Sequence, residues 1–151
     1  MKKSVSHLNE ITLEYTKRLF SNTGVKCSSD AANVAREIYG NTNSKIDLKE
    51  YFFVICLNRA NEVIGYHKVS EGGVSQTVVD ARIIFATAVK CLATGIILLH
   101  NHPSGNLKPS QQDRDMTRKI ADAGKLLDVA LIDHLIITSE SYYSFIDNGD
   151  A

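Results

Sequence analysis

The chain has 151 residues, a length typical of one domain, and a chain of this size buries about two-thirds of the surface that it exposes when unfolded. Hydrophobic residues make up 44% of the sequence and charged residues 23%, which is typical of a globular protein and excludes a disordered or fibrous one. Lysine and arginine together number 17, as do aspartate and glutamate, so the formal net charge is zero. This balance excludes a strongly basic nucleic-acid binder and an acidic tail, although a local basic patch remains compatible with it.

The three cysteines are an odd number, are widely spaced and form no Cys-x-x-Cys pair, which is typical of reduced thiols. The N-terminal lysines are not followed by an apolar run, and no apolar stretch approaches the length that spans a bilayer. We therefore expect a cytoplasmic protein that is neither secreted nor inserted in a membrane.

The first part of the chain predicts a strand followed by a helix. Residues 10–16 alternate between polar and apolar side chains, which indicates a half-buried strand. Ser28 and Ser29 are candidate N-caps for a helix over residues 30–39, where apolar side chains recur with helical spacing. Gly40 is expected to end this helix, and a polar loop follows it.

The middle of the chain predicts a hairpin. Residues 51–57 form a nearly continuous apolar, aromatic and β-branched run, which favours a central strand buried on both faces. Turn-forming residues at 58–61 precede a second strand near 62–69, so the two strands are expected to pair as a hairpin.

A short strand near 74–78 is then expected, followed by a helix from Asp80 to about Thr94 with Gly95 as its C-terminal stop. The side chains expected to be buried along this helix are those of Ile84, Ala88, Cys91 and Leu92.

The last part of the chain predicts a second buried strand over 96–99, a loop with both prolines, a helix from about 110 to 127 and a strand near 129–138. An aromatic segment at 142–145 follows. The apolar positions at helical spacing in the last helix are Met116, Ile120, Ala123 and Leu127. The alternation of strands and helices predicts an α/β fold, a single mixed-sheet domain with helices packed on the sheet.

Two histidines and one carboxylate are spaced as metal ligands. His100 and His102 lie at the exit of a buried strand, where residues i and i+2 point to the same side. Asp113 comes three residues after the candidate N-cap Ser110, in the first turn of the next helix. A His-x-His pair alone is often incidental, and Ser-x-x-Asp is commonly only a capping box. Together beside a buried strand they are as compatible with a zinc site, with three protein ligands and a fourth position open for water, as with these incidental interpretations.

The pattern His-x-His-Pro, with seven residues between the second histidine and Ser-x-x-Asp, resembles the JAMM motif of the JAB/MPN metallopeptidases. The longer string HNHPSGNLKPS at 100–110, with LIDHLII at 131–137 and YYSF at 142–145, resembles the RadC branch of that family. The resemblance covers about residues 28–146 and implies a cytidine-deaminase-like three-layer arrangement. It leaves 1–27 as an N-terminal strand and lead-in, too short for the helix-hairpin-helix region of full-length RadC proteins, and 147–151 as a C-terminal tail.

The resemblance also implies the chemistry of the site. It implies a zinc ion bound by His100, His102 and Asp113, with Glu50 as the base that takes a proton from the metal-bound water and returns it to a leaving amine. It further implies that Ser110 helps to hold the oxygen of the tetrahedral intermediate. From the residues alone, a solvated charge at a strand edge is the preferred interpretation of Glu50, and Ser110 is a helix cap.

Other titratable residues are weaker candidates. Glu62 and Glu71 are expected to be exposed, in a hairpin and beside a Gly-Gly loop. His134 lies among apolar residues on a strand, which favours a hydrogen-bonded core histidine over a metal ligand. A role for His134 and Asp133 in supporting the metal ligands from behind stays open. The histidines without a partner at ligand spacing are His7 and His67.

Three functions compete. The leading hypothesis is a zinc-dependent hydrolase of peptide or isopeptide bonds that acts on a peptide or protein substrate. The alternative is a DNA-repair-associated RadC-like accessory protein that acts by binding, although the neutral net charge predicts weak direct nucleic-acid binding. A catalytically inactive MPN-like scaffold is the third, but such scaffolds typically lose metal ligands that this sequence keeps.

Overall fold

The computed structural model describes residues 24–42, 44–72 and 78–151, and within them the chain forms three helices and five strands. In chain order these are α1 (Ser28–Asn41), β1 (Tyr51–Leu57), β2 (Val63–Glu71), α2 (Ala81–Lys90), β3 (Gly95–Asn101), α3 (Gln111–Leu126), β4 (Ala130–Ile137) and β5 (Tyr142–Ser144). The strand predicted over 10–16 lies outside the described residues, as does nearly all of the strand predicted near 74–78.

The five strands form one mixed sheet in the order β2-β1-β3-β4-β5. Only β3 and β4 run parallel, and α3 connects them, because parallel neighbours need a long crossover between them. The other neighbouring pairs are antiparallel, including the predicted β1–β2 hairpin. The prediction of an α/β fold with helices packed on a mixed sheet is therefore confirmed.

Both faces of the sheet are covered by helices, which explains the continuous apolar runs in β1 and β3. Phe53 and Ile55 pack with α1 on one face, while Phe52 and Val54 pack with α2 and α3 on the other. Every residue of β1 and β3 is buried. The prediction that residues 51–57 form a strand buried on both faces is confirmed, and the three layers agree with a JAB/MPN fold.

Helix α1 differs from its prediction at both ends. It begins at Ser28, and its N-cap residue is Cys27 with no side-chain cap, so the predicted capping by Ser28 or Ser29 is wrong. Gly40 lies inside the helix instead of ending it. A terminating glycine is needed where the chain turns through a left-handed residue, and here the chain leaves α1 through Thr42 in an extended conformation.

Helix α2 ends at Lys90, earlier than the predicted end near Thr94. Leu92 adopts a φ of 55°, the left-handed conformation that glycine usually supplies at this point. The N–H of Ala93 then donates to the carbonyl oxygen of Ala88 at 2.9 Å, which completes a Schellman motif. The chain therefore turns out of the helix at a leucine.

This early turn makes two sequence predictions wrong. Gly95 is the first residue of β3 and does not end α2. Leu92 is 80% exposed, because the residue in the turn projects away from the sheet, whereas Ile84 and Ala88 are fully buried as predicted. Cys91 is partly buried.

Helix α3 begins after Ser110, close to its predicted start, and ends with the same motif as α2. Asp128 has a φ of 55°, and the N–H of Val129 donates to the carbonyl oxygen of Gly124 at 2.9 Å. Leu127 lies at this turn and is 47% exposed although its position fits the apolar periodicity. No helix within the described ranges is long and apolar enough to cross a membrane.

The carbonyl oxygen of Val129 lies close to Gly124, and this contact predicts that alanine will have opposite effects on stability at two helical glycines. A Cβ atom at Gly124 would overlap the carbonyl oxygen of Val129, whereas one at Gly40 would meet no atom within 4 Å. We expect Gly124→Ala to lower the free energy of unfolding by about 1–3 kcal/mol through overpacking. Gly40→Ala, the matched control, is expected to raise it by about 0.5–1 kcal/mol. Denaturant unfolding measures both, and equal effects would contradict the packing argument.

Candidate metal centre

Three potential ligands meet where β3 ends and α3 begins. His100 lies on β3 on the face toward α3, His102 follows two residues later on the same side, and Asp113 lies in the first turn of α3. One ligand atom from each of the three residues lies within 4.8 Å of the others, so the cluster could hold a metal ion. Among the described residues this cluster contains no cysteine, and Cys27, Cys56 and Cys91 are free thiols.

The distances between these atoms suit a small tetrahedral cation. His100 Nε2 lies 3.3 Å from one carboxylate oxygen of Asp113, and His102 Nε2 lies 3.6 Å from the other. The two Nε2 atoms are 3.0 Å apart. Zinc bonds of about 2.0–2.1 Å at tetrahedral angles separate neighbouring ligand atoms by roughly 3.3 Å. The three side chains therefore fit a zinc ion by both ligand type and spacing.

The protonation states of these side chains also favour the binding of a cation between them. His102 Nδ1 donates to the carbonyl oxygen of Asn106 at 2.6 Å, and a carbonyl can only accept, so the neutral ring carries its lone pair on Nε2. Burial opposes protonation of His102, but the carboxylate of Asp113, the backbone of Asn106 and the charge of Glu50 together outweigh burial and raise the pKa of His102. Two Nε2 atoms 3.0 Å apart need a proton or a cation between them, and a metal ion bound here would replace that proton.

The same carboxylate caps α3. The backbone N–H of Ser110 donates to Asp113 Oδ2 at 2.7 Å, and the backbone N–H of Asp113 donates to the Ser110 hydroxyl at 3.1 Å, which forms a capping box. Burial alone would raise the pKa of Asp113, but the two histidine rings beside it hold that pKa well below its usual range. Asp113 is thus an anion fixed by the helix start and directed at both histidines.

Glu50 lies in the cleft that opens beside this cluster. It directly precedes β1, whose Phe52 is paired with His100 on β3. A cleft of about 410 Å³ is lined by Glu50, His102, Ser110 and Asp113 among other residues. Partial burial raises the pKa of Glu50, with His102 opposing this rise and Asp113 adding to it. A half-buried carboxylate with a raised pKa beside a cation site is suited to accept a proton and return it.

The other two acidic candidates lie elsewhere. Glu62 is at the far end of the β1–β2 hairpin, where its carboxylate accepts from the Asn58 amide at 2.8 Å. Glu71 is exposed at the end of β2 and forms ion pairs with Lys49 at 3.1 Å and Lys68 at 2.8 Å, which hold its pKa below its usual value. Neither lines the cleft beside the histidines.

Asn101 is a residue of this site that the sequence did not reveal. It points to the opposite face from the two histidines, is fully buried, and accepts from the backbone N–H of Tyr51 at 2.8 Å. Its amide donates to the carbonyl oxygens of Ile46 and Lys49, each at 2.7 Å. The middle residue of the His-x-His pair therefore holds the backbone on both sides of Glu50. The spacing of the motif leaves this position open, so no local pattern could identify it.

His134 is a hydrogen-bonded core histidine, as predicted. Its ring is fully buried, which lowers its pKa well below the usual range, and its nitrogens lie 2.8 Å from His100 Nδ1 and 2.7 Å from Thr117 Oγ1. Asp133 points to the other face of β4, where its carboxylate accepts from the Ser144 hydroxyl at 2.7 Å. The ring of His134 is therefore held by His100 and by Thr117, a partner that the sequence did not indicate. Asp133 contacts His134 only through the backbone N–H of His134 and not through the ring.

Comparison with known proteins connects this geometry to a family. A family model described as a RadC-like JAB domain matches residues 25–150. A UPF0758 protein of Flavobacterium johnsoniae is 46% identical over 125 residues, which cover 83% of this chain and 52% of that protein. A UPF0758 protein of Salinibacter ruber is 43% identical with the same coverage of both chains. One of Thermotoga maritima is 38% identical over 102 residues, which cover 68% of this chain and 46% of that protein. The chain thus spans about half the length of these curated relatives.

Proposed function

We propose that this chain, which belongs to the family of RadC-like JAB domains, is a zinc-dependent hydrolase of peptide or isopeptide bonds. The observation that carries the proposal is the cluster of His100, His102 and Asp113, two of which, His102 and Asp113, line one cleft with Glu50. Three protein ligands with an open cleft next to them are typical of catalytic zinc, whereas structural zinc sites are closed by four protein ligands.

Zinc, when bound by these three residues, would supply Lewis-acid polarisation of a carbonyl and would acidify water at neutral pH. Glu50 takes the proton of the attacking water and delivers it to the leaving amine, a task for which partial burial and a raised pKa suit it. Ser110 caps α3 through its hydroxyl oxygen, which leaves the hydroxyl proton to donate to the developing oxyanion. A peptide or protein substrate would lie along the cleft, between these groups and the apolar side chains of Val79 and Met116.

Metal analysis gives the first test. We expect about one zinc ion per chain in protein purified without chelators, and we expect the Cys27→Ser variant to retain it, because no described cysteine belongs to the cluster. Hydrolysis of a peptide or isopeptide library should be lost on chelation and restored by zinc. Protein without metal, or metal held by cysteines, would overturn the zinc site. A loaded chain that cleaves no member of either library would overturn the hydrolase.

A further inference from the structure

A row of hydrogen bonds lies behind the metal centre and connects α3 with β3. The Thr117 hydroxyl is 2.6 Å from the backbone carbonyl oxygen of Asp113 and 2.7 Å from His134 Nδ1. His134 Nε2 is in turn 2.8 Å from His100 Nδ1. The row therefore begins at the backbone of one proposed ligand and ends at the ring of another.

The positions of the protons in this row follow from counting donors. A carbonyl oxygen can only accept, so the single hydroxyl proton of Thr117 is donated to Asp113. The oxygen of Thr117 must then accept from His134, which places an N–H on His134 Nδ1. A neutral imidazole has one N–H, so His134 Nε2 carries a lone pair.

This lone pair determines the tautomer of His100. His134 Nε2 can only accept, so His100 Nδ1 is the donor between the two rings. The lone pair of His100 is therefore on Nε2, the atom that faces Asp113 at 3.3 Å. The opposite tautomer would place a proton where a metal ion must bind.

The rings cannot reorient easily, because aromatic side chains stack on both. The ring of Phe145 lies 4.4 Å from that of His134 with an angle of 13° between their planes. Phe52 stacks on His100 at 5.7 Å, also at 13°. His100, Thr117 and His134 are each fully buried, so solvent offers these nitrogens no other partner.

We propose that Thr117 and His134 are positioning residues of the metal centre, which prepare His100 for metal by fixing its lone pair on Nε2. Neither residue touches the metal position itself. The inference rests on the zinc site of the proposed function and does not depend on hydrolysis, so zinc affinity tests it even if no substrate is found.

The test is Thr117→Val in the whole chain, with zinc affinity measured by competition with a chromophoric chelator. Valine keeps the shape of threonine but removes the acceptor that holds the proton on His134 Nδ1. His134 can then carry its proton on Nε2, which faces His100, so that the proton of His100 moves to its own Nε2 and blocks the metal. Loss of such supporting contacts typically weakens metal binding by about 10- to 100-fold, and we expect a loss in this range.

Two matched variants separate this effect from a general loss of packing. Thr117→Ser restores the hydroxyl and should bind zinc within about threefold of the parent. Thr42→Val removes a buried hydroxyl that makes no hydrogen bond within the described residues, and should leave the affinity unchanged. Parent-like affinity of Thr117→Val, or an equal loss in Thr42→Val, would overturn the proposal.

A second measurement needs no variant. Long-range ¹H–¹⁵N NMR spectra of the parent chain report which nitrogen of each histidine carries the proton. We expect Nδ1–H for His134 in the metal-free and zinc-loaded chain, and Nδ1–H for His100 when zinc is bound. Finding Nε2–H at His134 would overturn the proposal, whether or not Thr117→Val folds.

Discussion

Replacing Glu50 with glutamine is expected to lower hydrolysis by about 10²- to 10⁴-fold while the zinc content stays at the parent level, since this is the usual contribution of a positioned acid–base group. Glutamine keeps the shape of the side chain but cannot accept a proton. The loss corresponds to roughly 3–5 kcal/mol of transition-state stabilisation. The measurement is the rate on a substrate that the parent cleaves, together with elemental analysis of the variant.

Glu71→Gln is the matched control for this prediction. Its carboxylate is exposed and forms surface ion pairs, so its removal should change neither the rate nor the zinc content. If Glu50→Gln kept full activity, another carboxylate would be the base. If it lost zinc, Glu50 would be a ligand and the proposed division between base and ligands would be wrong.

The parts of the molecule that the sequence predicted are those governed by local rules. The strands β1 and β3 follow from apolar runs buried on both faces, and the start of α3 follows from the spacing between Ser110 and Asp113. The convergence of His100 and His102 follows from the two-residue repeat of an extended chain. These features require no knowledge of which elements become neighbours.

The features that the sequence missed depend on tertiary contacts or on an unusual residue in a standard motif. The chain leaves α2 and α3 through left-handed residues that are not glycine, Leu92 and Asp128, so the glycine rule does not locate the ends of these helices. The contact between Thr117 and His134 joins residues 17 positions apart on different elements, so no spacing rule predicts it. The hydrogen bonds between Asn101 and the backbone around Glu50 likewise join residues about 50 positions apart in the sequence.

The largest effect is expected from His102→Ala, which should remove zinc and bring hydrolysis down to the background rate. Only three protein ligands converge in the described cluster, and the two that remain, His100 and Asp113, cannot hold the ion in a tetrahedral site. The loss can be followed without a substrate. Zinc at 100 times its Kd should add about 2.7 kcal/mol to the free energy of unfolding of the parent and nothing to that of the variant.

His67→Ala provides the matched control, because His67 is exposed on β2, away from the cluster. It should bind zinc, gain stability from it and hydrolyse the substrate as the parent does. Because Glu50→Gln keeps zinc and loses the rate, whereas His102→Ala loses both, the pair distinguishes a base from a ligand. Unchanged stabilisation by zinc in His102→Ala would show that the ion binds elsewhere, and the site built on His100, His102 and Asp113 would then be wrong.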